Sequence, residues 1–188
     1  IAVDQGSNAA ITNWAGASIS AHGDGIAVGY AGSPMPANNT GNITNSGTID
    51  STTGNGIHVT GYNGDSVGNS AIVRNWGTIT AAAGNGIRID GDNRLQVINA
   101  VTGSIGTEVD GLITRVGGSG ISVGGDNTPG AFTALMDNSG TIYAEGYGLH
   151  LGGIIHASGY AMGQQVDEDG FLASGGILQQ GNQLGNLL

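Results

Sequence analysis

The chain of 188 residues contains no Cys and no Lys, only three Pro, and 5% aromatic residues. Without Cys, no disulfide framework can staple it. Scarce Pro and a Gly distribution with no three-residue period exclude a collagen-like triple helix. Its four strong cations, Arg74, Arg88, Arg94 and Arg115, are scattered among 14 acids for a formal net charge of −10. That balance argues against nucleic acid and against an anionic bilayer as partners, since both need clustered Lys or Arg. No apolar run approaches the 18 residues of a membrane-spanning helix, so no transmembrane segment is expected. The first residue is Ile1, with no Met, basic segment or apolar h-region. No signal peptide is therefore expected, and the chain reads as a processed protein or an excised fragment.

What is abundant is Gly, at 38 of 188 residues, about a fifth of the chain against a usual 7% or so. Gly in such quantity opposes long helices, each helical Gly costing about 1 kcal/mol. Disorder is opposed by the 38% hydrophobic content, much of it Ile and Val.

The decisive signal is an internal repeat. One unit reads Asn-x-Gly-Thr-Ile, a few residues, then Gly-Asn-Gly-Ile-x-Val. Its clearest copies run from Ile43 to Val59 and from Val73 to Ile89. Looser copies start at Asn13, Asn99 and Asn138, and the Gly-Ile/Leu landmark falls at Gly25, Gly56, Gly86, Gly120 and Gly148. Each unit reads as three short strands, and alternation within them assigns the inward side chains. Ile11, Ile43, Val73, Val97 and Met136 form one column, and Ile19, Ile49, Ile79, Ile105 and Ile142 a second. The pairs Ile26/Val28, Ile57/Val59, Ile87/Ile89, Ile121/Val123 and Leu149/Leu151 form a third. One unit cannot bury such faces alone, whereas stacked units bury a continuous apolar cylinder. The fold predicted is all-β, a parallel β-helix or β-solenoid of about five coils of roughly 30 residues with three short strands each. It is expected to occupy residues 1–153, with 154–188 as a carboxy-terminal cap, linker or partner-pairing segment.

Asn13, Asn45, Asn75, Asn99 and Asn138 share one turn position, where stacked coils would bring their amides about 4.8 Å apart. A structural hydrogen-bonded Asn ladder is predicted there. Asn55 and Asn85 suggest a second ladder, with Asp24, Ser119 and Tyr147 at its other levels. The segments after strand three vary most in length and carry Tyr30, Pro34, Pro36 and Tyr62, so they are the expected partner-binding side. A longer stretch, Glu108 to Gly118, interrupts the fourth unit between strands two and three and is expected to protrude from a different corner.

These linked motifs resemble the parallel β-helix passenger regions of Gram-negative autotransporters and related exported adhesins, over most of the chain from Ala9 to Gly153. The resemblance implies a secreted or cell-surface location. It leaves activity open, because such passengers include adhesins, proteases and toxins. No alternating strands of a membrane barrel are seen.

Candidate chemistry is sparse. His58, His150 and Arg88 fall at the outward position of strand three and read as exposed scaffold, the two His too far apart to share a metal. Asp50 stands alone between Ser20 and Thr80, short of the clustered acids that glycan cleavage needs. Asp90/Asp92/Asn93, Gly124 to Asn127 and Asp167 to Gly170 offer oxygen ligands for calcium but match no calcium loop. An outward Thr-x-Thr array of the ice-binding kind is complete at one level only, Thr78/Thr80. The expectation is a non-enzyme without catalytic, cofactor or metal residues, which adheres through its loop-decorated side to a host-cell, matrix or glycan receptor. The alternatives are a subunit of a self-assembling extracellular fibre, its copies meeting end to end, and a polysaccharide-degrading β-helix enzyme.

Overall fold

The computed structural model describes residues 1–3, 10–29, 37–64, 71–127, 135–153, 160–166, 172–174 and 177–179. The chain enters through β1 (Ala2–Val3) and then winds in coils of three strands. The first coil holds β2 (Ile11–Asn13), β3 (Ser18–Ala21) and β4 (Ile26–Val28), and the second β5 (Ile43–Asn45), β6 (Thr48–Ser51) and β7 (Ile57–Val59). The third holds β8 (Ile72–Asn75), β9 (Thr78–Ala81) and β10 (Ile87–Ile89). The fourth starts with β11 (Gln96–Asn99) and β12 (Ser104–Ile105), makes an excursion through β13 (Thr107–Val109) and β14 (Leu112–Thr114), and closes with β15 (Ile121–Val123). The fifth comprises β16 (Leu135–Asn138), β17 (Thr141–Ile142) and β18 (Leu149–Leu151).

Corresponding strands stack in parallel into three sheets, and the molecule is a β-solenoid. Register is set residue on residue: Ile43 pairs Val73, Ile49 pairs Ile79, and Ile57 pairs Ile87. A slip of one residue would turn every inward Ile outward, so the apolar columns themselves lock the pairing. All three columns lie where the repeat places them, and nearly all their side chains are buried. Ile19, in the first coil, is partly buried against the same core. Each fully buried Ile is worth about 1.5–3 kcal/mol relative to exposure. Packing between coils is close enough to demand Gly at the head of strand three. A Cβ on Gly56 would strike Ile79 Cγ2 and lie 2.7 Å from the Gly86 carbonyl oxygen.

Beyond residue 153, β19 (Tyr160–Val166) continues the first sheet in parallel on β16, and β20 (Leu172–Ser174) pairs antiparallel with β19. β21 (Ile177–Gln179) continues the third sheet on β18. The interruption of the fourth coil is an antiparallel hairpin, β13 on β14. Its two-residue turn, Asp110-Gly111, has φ of 53° and 80°, the pair of positive values that a twisted hairpin favours and that Asp-Gly accommodates.

Candidate functional site

The predicted ladder runs through the first corner. Asn13 Nδ2 donates to Asn45 Oδ1 at 2.8 Å, Asn45 to Asn75 at 2.8 Å, Asn75 to Asn99 at 2.8 Å, and Asn99 to Asn138 at 2.7 Å. The second amide hydrogen reaches a backbone carbonyl of the next coil, as from Asn45 to Thr78 at 3.2 Å. The amides of Asn13, Asn45, Asn75 and Asn99 thus each donate at least twice, and the last three are fully buried. These residues are structural. The second ladder is also present: Asp24 Oδ1 accepts from the Asn55 backbone at 2.7 Å, Asn55 Oδ1 from that of Asn85 at 3.0 Å, and Asn85 Oδ1 from that of Ser119 at 2.8 Å.

A third ladder joins Asn39, Asn63, Asn93 and Asn127, at 2.9, 2.9 and 2.8 Å, all fully buried. Sequence reasoning assigned these positions to variable segments. They instead close a corner of their own, held by parallel single-residue bridges. The signal was their place four residues after the last inward residue of strand three, as in Val59 to Asn63, Ile89 to Asn93 and Val123 to Asn127.

This corner is also the one with the insertions. Residues 30–36 intervene between β4 and Asn39, 65–70 between Asn63 and β8, and 128–134 between Asn127 and β16, while the third coil passes from Ile89 through Asn93 to Val97 without addition. Of the expected binding residues, Tyr30, Pro34 and Pro36 lie outside the described residues, and Tyr62 lies at this corner. Its ring is exposed on one side and covered on the other by the Arg94 guanidinium, 4.0 Å from the ring centroid. Asp92 Oδ2 accepts from Arg94 at 3.3 Å, and Asp92 Oδ1 from the Asp126 backbone at 3.0 Å. Tyr62 and Arg94 therefore form one polar and aromatic surface, a cation–π pair whose attraction strengthens when water is excluded from it. Asp92, offered by sequence as a calcium ligand, serves as turn acceptor and partner of Arg94. Among the described residues, no three His, Asp or Glu side chains converge as metal ligands.

His58 corrects the expectation of a freely exposed scaffold side chain. It points outward from β7, yet its side chain is only 13% exposed. Nδ1 lies 2.8 Å from Asp24 Oδ2, one coil below, and Nε2 lies 3.0 Å from Asp90 Oδ2, one coil above. Arg88 binds the other oxygen of Asp90. Both ring nitrogens can donate at once only in the imidazolium, so the geometry itself calls for a charged His58. Burial works against that charge, but hydrogen bonds to Asp24 and Asp90 outweigh it and hold the His58 pKa above its ordinary 6.5. For Asp24, burial is likewise overcome by bonds from His58 and Asn55, which lower its pKa below 3.8. His150 goes the other way, with burial and the Arg88 charge lowering it. It stacks on Tyr147, ring centroids 5.5 Å apart.

On the second sheet, a groove of about 390 Å³ runs over Ser18, Ser20, Thr48 and Thr80, walled by Thr114 and Arg115 at the foot of the hairpin. Asp50 sits in it with one oxygen taken by Thr80 Oγ1 at 2.7 Å. The other strand of the hairpin is tied down by Tyr143, whose hydroxyl donates to Glu108 at 2.7 Å. Glycoside cleavage runs on a pair of carboxyl groups, and Asp50 is the one carboxylate among the described residues that line this groove.

No family model, no curated protein and no solved structure matches this chain.

Proposed function

We propose that this chain is the non-enzymatic rod of an exported Gram-negative adhesin, secreted or displayed at the cell surface, and that its loop-bearing corner contacts the receptor. One observation carries the reading. The coil interior repeats with little change, while three insertions of unlike sequence fall at the same corner, next to Asn39, Asn63 and Asn127 in the chain. A solenoid that concentrates its variation along one edge presents a continuous strip for a partner. Tyr62 and Arg94 form the described part of that strip.

The test is removal of residues 30–36. The feet of this insertion are adjacent, since a Cβ on Gly29 would lie 2.9 Å from the Ala37 Cβ. A chain joining Gly29 to Ala37 should therefore keep its coils, with an unchanged far-ultraviolet circular dichroism spectrum. We expect it to lose binding to host cells and to matrix-coated surfaces. A shortened variant that binds as well as the parent overturns the reading. So does assembly of the parent into regular filaments in sedimentation and electron microscopy, which is the outcome for a fibre subunit.

A further inference from the structure

The chain has two tryptophans, and both stand on the corner between the first and second sheets, away from the insertions. The backbone bonds Ser46 N to Asn13 O, Trp76 N to Asn45 O, Ala100 N to Asn75 O and Ser139 N to Asn99 O align that corner from coil to coil. The column they define reads Trp14, Ser46, Trp76, Ala100, Ser139. Trp14 is 73% exposed and Trp76 43%. The two indoles are two coils apart, about 9.6 Å at the strand spacing, and Ser46 between them is too small to fill the gap. Such surface on a corner otherwise held by Ser and Ala is no requirement of the fold, since Ser46 makes the same turn.

Beside Trp76 lies a shallow depression of about 360 Å³, floored by Ile98 and Ala100 and edged by Val101. Its polar rim is Arg74, Asp137 and Ser139. The Arg74 guanidinium lies 5.7 Å from the Trp76 ring centroid. Ser139 Oγ donates to the Asp137 carboxylate at 2.9 and 3.1 Å, holding it at the rim.

We infer that this corner binds a neutral, extended polysaccharide chain lying along the axis of the rod. A pyranose ring has an apolar C–H face and a rim of hydroxyls. Trp76 has the Arg74 guanidinium over one ring face and offers the other as the flat apolar platform, while Arg74 donates and Asp137 accepts beside it, the pairing of apolar wall and few placed polar groups that fixes a small ligand. Trp14 repeats the platform at the reach from one sugar ring to the next but one. The charge of −10 and the carboxylate of Asp137 select against anionic glycans. This site is separate from the loop-bearing corner and does not rest on the adhesion reading.

Because both tryptophans belong to the site, their emission reports its occupancy directly. Titration of the full chain with cellohexaose and chitohexaose should give a saturable blue shift with at least one of them, and hexagalacturonic acid should give none. Trp76→Ala should weaken the active hexasaccharide by ten-fold or more, with Trp14 remaining as reporter. Trp14→Ala should weaken the hexasaccharide but leave the corresponding disaccharide, too short to span both platforms, unchanged. Circular dichroism of each variant should match the parent, since neither ring enters the core. Emission unmoved by both neutral sugars at millimolar concentration overturns the inference, as does an equal response to the anionic one. A blue shift that grows with protein concentration alone also overturns it, in favour of a second copy of the chain.

Discussion

The inward and outward faces of the same strands obey different rules. Along the inside, equivalent residues of successive coils are nearly identical, and each meets its own kind: Ile49 on Ile79, Asn45 on Asn75. Along the outside, neighbours differ from coil to coil, as in the outward column Ala27, His58, Arg88, Ser122, His150 of the third sheet. Inside, a polar group is satisfied by the neighbouring coils and by its own turn instead of by water, as Asn75 is by Asn99 and Gly77, so each ladder is a chain of obligatory bonds. Outside, water substitutes, and chemistry is free to vary. Stability is thus written on the inner face and variation on the outer, and perturbations should separate accordingly.

The largest effect is expected inside. Asn75→Asp keeps the size of the side chain but replaces the donor that reaches Asn99 Oδ1 and the Ser104 carbonyl with a second acceptor. The buried carboxylate would face those oxygens unpaired, and about 3–5 kcal/mol of stability should be lost at neutral pH. Burial raises the pKa of such a carboxyl. The loss should shrink as pH falls through that raised value, because the protonated acid can donate again. Denaturant melts at neutral pH and near pH 4 check this. A variant as stable as the parent at neutral pH would mean the ladder contributes nothing beyond shape.

A smaller effect is expected at the His58 clamp, an outward feature that nevertheless joins three coils. The stabilisation linked to His58 is fully present below its unfolded pKa of about 6.5 and is lost as pH rises through the raised folded value. For Asp24 the sense is opposite: its contribution is present above about 3.8 and is lost as pH falls through the lowered value. The clamp is therefore strongest between those limits. His58→Gln should cost under about 1 kcal/mol near pH 6, as for partly exposed ion pairs, and the cost should vanish at alkaline pH. Stability measured from pH 5 to 9 decides it. A constant difference across that range would assign His58 a packing role only.

The same division explains which features are legible in the sequence. Ile49 and Ile79 announce themselves because the inside repeats, and the fixed spacing of Asn45 and Asn75 to the following Gly-Thr-Ile marks their ladder. Asn63 and Asn93 were missed for a physical reason: from Asn63 the next inward residue is Val73, from Asn93 it is Val97, so insertions hide a constant interior position. The clamp was hidden differently. Asp24 precedes β4 and Asp90 follows β10, so neither shares the strand position of His58, and columns drawn along strands alone could not join them. At the expected binding side, a sequence can show that the corner varies but not what Tyr62 touches. Its cover, Arg94, comes from the following coil.

The hairpin is outward matter built on local rules. β13 and β14 pair only with each other, and Val109 and Leu112 at its tip are 63% and 73% exposed. Gly111, at φ of 80°, has open space where a side chain would go, so substitution there is limited by backbone conformation alone. Gly111→Val imposes a β-branched residue on a left-handed position, a local strain of about 1–2 kcal/mol. Such strain can be relieved by opening the hairpin, whose tip contributes nothing to the buried columns. Global unfolding should therefore move by less than about 0.5 kcal/mol, while amide exchange between Thr107 and Thr114 accelerates on its own. A global loss approaching that of Asn75→Asp would show that the hairpin belongs energetically to the rod, through the Tyr143–Glu108 bond at its base.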